Sequence, residues 1–121
     1  MSYIEEIDNA LAVHGLWKQH LKQAIETGRS EFSVSQLQAD YFCDFGKWLY
    51  GLPLVIRTTT YWTKTQKLHA EFHQEAARIL GLAVNQHKKD EALRLLGPGE
   101  KYHSLSEQLG DALRQWKESL K

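Results

Sequence analysis

With 121 residues the chain is long enough to bury a core without disulfides or other staples, and it fits one domain, residues 1–121. Fifteen Lys and Arg balance fifteen Asp and Glu, so no basic surplus exists to neutralise phosphates, and no nucleic-acid partner is expected. The one cysteine cannot form an internal disulfide, Met1-Ser2-Tyr3-Ile4-Glu5-Glu6 lacks the basic and apolar regions of a signal peptide, and no apolar run approaches ~18 residues, so a cytoplasmic protein without membrane association is expected.

Apolar spacing is helical from end to end, interrupted by only two prolines, Pro53 and Pro98. The first helix is predicted over residues 3–26, with Ser2 and Glu5 as a capping box and Ile4, Ile7, Leu11, His14, Lys18, Leu21 and Ile25 along one seam. Gly28 ends it. A short second helix is expected from Ser35 or Asp40 to Tyr50, with Cys43 near its start or middle, and Gly51 and Pro53 stop it. The third and longest is expected from Arg57 to Gln86, although Thr58, Thr59 and Thr60 are weak helix formers that packing must override. Its inward stripe reads Tyr61, Thr65, Leu68, His69, Phe72, His73, Ala76, Ile79, Leu80 and Ala83, with Glu71 and Glu75 turned outward. A short helix fits Lys88 to Leu96. After the break at Gly97-Pro98-Gly99, Tyr102, Leu105, Leu109, Leu113, Trp116 and Leu120 mark one face of a last helix. These elements predict an all-α fold: a four-helix bundle of three long helices plus a short Cys-bearing helix, with an additional short connecting helix.

The chemistry of the chain starts with His69 and His73, whose spacing of four places both rings on one helix face, about 6 Å apart and able to share an ion. Position 70 is alanine, so the zinc-protease arrangement with a glutamate beside the first histidine is missing. His14 interrupts an apolar seam, where an unsatisfied ring is costly and a partner is required. That partner is a backbone carbonyl, a carboxylate or an ion. Cys43 is either a small apolar filler or a ligand. Taken together, three histidines and one cysteine on core-facing segments make a complete tetrahedral zinc shell, and a bundle core is where such sites are built. Around them, Trp17 and Trp48 are expected to bury large areas, Gly46 to admit a close approach, and Asp44 to be solvated or to accept a hydrogen bond from a ligand imidazole. His20, His87 and His103 belong to no such pattern and are expected to be exposed.

The segments His14-Gly15-Leu16-Trp17, Cys43-Asp44-Phe45-Gly46-Lys47-Trp48-Leu49 and His69-Ala70-Glu71-Phe72-His73 resemble the bacterial chemoreceptor zinc-binding domain family. Its pattern is His-x-x-Trp on a first helix, Cys-x-Phe/Leu-Gly-x-Trp on a short second one and His-x-x-x-His on the third, and the resemblance extends over nearly the whole chain. The resemblance implies that His14, Cys43, His69 and His73 ligate Zn2+ and that Cys43 is also a redox target. It further implies a regulatory input domain that is not an enzyme, of the kind found with cytoplasmic chemoreceptors and diguanylate cyclases, in which zinc occupancy or oxidation of the bound cysteine alters signalling.

No receptor hairpin or cyclase accompanies the motifs, so output in trans is expected, and Met1 together with the closing helix favours a small stand-alone protein. The resemblance and the aromatic surplus of Tyr41, Tyr50 and Trp62 suggest a homodimer. Three rivals compete with the sensor. A metal-independent helical interaction or dimerisation module would keep Cys43 as core, and a zinc hydrolase would need an open site and a general base. A di-iron bundle would need Glu-x-x-His pairs, whereas Leu11, Gln66 and Ala70 precede the three histidines by three.

Overall fold

Ser2 accepts a hydrogen bond from the Glu5 N–H at 3.1 Å and so starts α1, Tyr3–Thr27, in the computed structural model, which describes residues 2–121. Gly28 ends this helix in the left-handed conformation, φ 71°, with its N–H on the Ala24 carbonyl at 2.8 Å. The buried seam runs through Ile7, Ala10, His14, Trp17, Leu21, Ala24 and Ile25. It is therefore rotated from the expected one. Ile4, Leu11 and Lys18 lie half-buried at its edge.

Of the two starts expected for the second helix, Ser35 runs two helices together and Asp40 lies about one turn before the observed start at Asp44. Ser33 and Gln36 form a reciprocal capping box that opens α2, Val34–Gln38, which ends at Ala39. The chain then turns, and α3, Asp44–Tyr50, begins with Cys43 as its cap, outside the helix. The long third helix is likewise divided. Pro53 leads into α4, Leu54–Arg57, and α5, Thr60–Val84, starts afresh because the Thr59 side chain accepts from the Trp62 N–H. Packing does not override the threonine run. Thr59 uses it as a helix start, as threonine's competition with the backbone favours.

Two assignments on α5 also change. Tyr61 is 44% exposed and off the buried stripe, whereas Glu75 is 4% exposed and inside. Arg78 makes that burial possible with two hydrogen bonds to the Glu75 carboxylate, at 2.9 and 2.8 Å. The helices α6, Lys89–Leu95, and α7, Lys101–Ser119, follow as expected, except that Leu120 lies beyond α7 and is exposed.

The architecture is a helical bundle, with seven helices and no strand among the described residues. Helix α5 is its centre and packs on α7, α1 and α2, while α1 also packs on α7. The short α2 and α3 share the fourth position. Ile79, Leu80, Leu109 and Leu113 fill the interior almost without exposure, each stabilising by roughly 1.5–3 kcal/mol. Trp62 ties α3 to α5 through its Nε1–H on the Leu49 carbonyl at 2.8 Å.

Candidate metal centre

The three histidines of the apolar seams meet because each sits at mid-helix on a face turned to α5 or from it. His14 comes from α1, while His69 and His73 come from successive turns of α5. His69 and His73 are completely buried and His14 nearly so. Cys43, half-buried at the start of α3, closes the group. One donor atom from each of the four lies within 4.8 Å of every other.

Backbone carbonyls set the rings. His14 Nδ1 is 2.8 Å from the Ala10 carbonyl and His73 Nδ1 is 2.8 Å from the Leu37 carbonyl of α2. A carbonyl only accepts, so both Nδ1 atoms carry the proton and both Nε2 atoms present lone pairs. These lone pairs point at His69 Nε2, at 3.0 Å from His14 and 3.2 Å from His73. Cys43 Sγ stands 3.3 Å from His69 Nε2 and 4.0 Å from His14 Nε2. A single proton on His69 Nε2 satisfies one neighbour and leaves the other's buried lone pair without a donor. A cation satisfies them all.

The residues fit zinc on this donor chemistry. Zinc bonds of about 2.0–2.1 Å to nitrogen and about 2.3 Å to sulfur set tetrahedral edges of roughly 3.3–3.6 Å, which the separations of 3.0, 3.2, 3.3 and 4.0 Å given above bracket. The walls are apolar, with Phe45 edge-on to His14 and His69 and Phe72 edge-on to His14. Burial accordingly pushes His14 down to about 4 and His69 down to about 2, with neighbouring imidazoles adding to both, and burial lowers His73 as well. All three rings are therefore neutral near pH 7, the form that coordinates metal. Burial pushes the Cys43 thiol up, opposed by the Gly46 N–H, which donates to its sulfur at 3.3 Å.

Gly46 is required by contact. A Cβ there would overlap the Asp40 carbonyl, and that carbonyl also accepts from Cys43 Sγ at 3.6 Å. Trp17 is buried but packs on Phe32 and His20 rather than on the clustered imidazoles of His14, His69 and His73, and Trp48 supports Phe45 and contacts Tyr3 and Trp116. Asp44 is exposed on the outer face of α3. The carboxylate that comes within 4 Å of a site imidazole is Asp40, 3.9 Å from His69 Nδ1. Sequence reasoning missed it, although its place one turn before Cys43 was a usable signal. His20 and His87 are exposed, and His103 pairs with Glu107 on α7.

Beside Cys43 a groove of about 550 Å³ opens between α1 and α3, lined in part by Val13, His14, Asp44 and Trp48. No helix among the described residues is long and apolar enough to cross a membrane. The family model of the chemoreceptor zinc-binding domain matches residues 14–80, a span that opens on His14 and takes in Cys43, His69 and His73. No curated protein and no solved structure matches the chain.

Proposed function

The chain belongs to the chemoreceptor zinc-binding domain family, and we propose that it is a regulatory, non-catalytic zinc sensor whose ligands are His14, Cys43, His69 and His73. The observation that carries this reading is the convergence of three imidazole Nε2 atoms on one thiol, two of them fixed as lone-pair donors by backbone carbonyls. When bound, zinc supplies the positive charge that holds Cys43 as a thiolate and joins α1, α3 and α5 at one point. Four protein donors fill a tetrahedral shell and leave no position for substrate water, which suits sensing better than hydrolysis.

Two inputs reach the same residues. Loss of metal leaves a buried lone pair without a donor, which loosens the contact between α1, α3 and α5. Oxidation acts through Cys43, which the groove between α1 and α3 makes reachable. A peroxide transfers one oxygen atom to the thiolate, its O–O bond breaks, the sulfur becomes a sulfenate, and the peroxide leaves as the alcohol or water. In the metal-free chain the raised thiol pKa keeps Cys43 protonated and slow to react. The changed bundle surface then acts in trans, as a homodimer, on a signalling protein such as a chemoreceptor or diguanylate cyclase.

A metal-independent interaction module is the alternative, favoured by the exposed apolar side chains of Leu54 and Val55 on α4. Elemental analysis of untagged protein separates the two. One zinc per chain, lost in Cys43→Ala and His73→Ala, supports the sensor. A folded protein with no zinc and no uptake leaves the interaction module.

A further inference from the structure

We infer that Asp40 is a positioning residue of the metal centre: its carboxylate takes the Nδ1–H of His69 when that ring coordinates through Nε2, and Tyr50 and Gln66 hold it in place. This rests on the zinc reading above. Each ligand imidazole needs an acceptor for the N–H opposite its metal-binding nitrogen, because that acceptor fixes the tautomer and the ring plane. His14 has the Ala10 carbonyl and His73 has the Leu37 carbonyl. His69 is the exception. Its Nδ1 is fully buried and has no hydrogen-bond partner, and Asp40 Oδ2 stands 3.9 Å away. A closing movement of about 1 Å makes an ordinary hydrogen bond.

Asp40 is held from both ends. The Tyr50 hydroxyl donates to its Oδ2, and Gln66 Nε2 donates to the Tyr50 oxygen at 3.0 Å. Its main chain lies against Gly46, and its carbonyl meets the Cys43 thiol. One residue thus touches Cys43 through its backbone and faces His69 through its side chain. Charge points the same way. Three neutral imidazoles and one thiolate around a divalent cation leave a net charge near plus one in an apolar cavity, and the largely buried Asp40 carboxylate brings it to neutrality.

The test is zinc affinity of the full chain by competition with a chromophoric chelator, together with imidazole proton and nitrogen NMR of the zinc-loaded form. Asp40→Ala is expected to weaken zinc about 10- to 100-fold, the range for partners of ligand histidines, and to abolish the slowly exchanging Nδ1–H signal of His69. Asp40→Asn keeps an acceptor but not the charge, so it is expected to retain that signal and lose a smaller part of the affinity. Wild-type affinity and an intact His69 signal in Asp40→Ala overturn the inference. Should Asp40→Ala fail to fold, unchanged zinc affinity in Asp40→Asn overturns it instead. A wild-type chain that takes up no zinc overturns the metal reading itself, which is a different result.

Discussion

A single methyl group added at Gly46 would be forced into the Asp40 carbonyl, and neither partner is a flexible side-chain end that can swing aside. Overpacking of this kind costs about 1–3 kcal/mol. Gly46→Ala is therefore expected to lower unfolding stability by that amount in denaturant titrations, and to weaken zinc because the same turn carries Cys43. The histidines supply a second prediction at this scale. Folded His14 has a pKa of about 4 against 6.5 for the ordinary imidazole. Below pH 6.5 the unfolded chain binds a proton that folded His14 refuses, so this group's contribution to metal-free stability falls from pH 6.5 to about 4 and then levels off, while His69, held lower still by burial, continues the fall. Above 6.5 this group contributes no slope. Its share is roughly 3 kcal/mol, since each tenfold loss of proton affinity on folding is worth about 1.4 kcal/mol. Unfolding of the metal-free protein from pH 7.5 to 4.5 checks this, and a flat profile would contradict it. At this scale the sequence showed that His69 and His73 share a face, because helical spacing is local. It did not show that Asp40, rather than Asp44, approaches His69, because that depends on a turn with no periodicity.

Helix boundaries are legible in the sequence where caps are local and obscure where a side chain chooses between helix and cap. Ser2 and Gly28 delimit α1 as their chemistry predicts. Thr59 and Cys43 instead interrupt patterns that read as continuous, each by taking a neighbouring N–H into its own side chain. The separation of α2 from α3 has a functional consequence. It frees the Leu37 carbonyl, near the end of α2, to receive the His73 Nδ1–H. Ser33→Ala, which removes the capping box of α2, is expected to cost about 1 kcal/mol of stability. It should also weaken zinc measurably through His73, whereas the same loss of cap at Thr59 should affect stability more than zinc. Parallel unfolding and zinc-competition measurements on Ser33→Ala and Thr59→Ala test that difference.

At the scale of the whole molecule, the centre ties α3 to α1 and α5, which already pack on each other, whereas α3 reaches the bundle through Phe45, Leu49, Trp48 against Tyr3 and Trp116, and the Trp62 hydrogen bond to the Leu49 carbonyl. Zinc at a thousandfold excess over Kd is expected to add about 4 kcal/mol of stability. The protection gained in hydrogen exchange should concentrate in the middle of α1, in α3 and around His69 to His73, while α6 changes little. Uniform protection, or none, would argue against the centre as the tie between these helices. Periodicity alone determined that the chain is all helical and, apart from Tyr61, Glu75 and Leu120, which of the residues assigned on α5 and α7 face inward, because a helix repeats its geometry every few residues and records its buried side in the sequence. The spacing of the three motifs likewise made the four donors legible as a set. Only the tertiary structure decided the distances among them, the burial of Glu75 against Arg78 and the place of Asp40 beside His69. Those depend on how elements distant in the chain pack together, and packing leaves no repeat in the sequence to read.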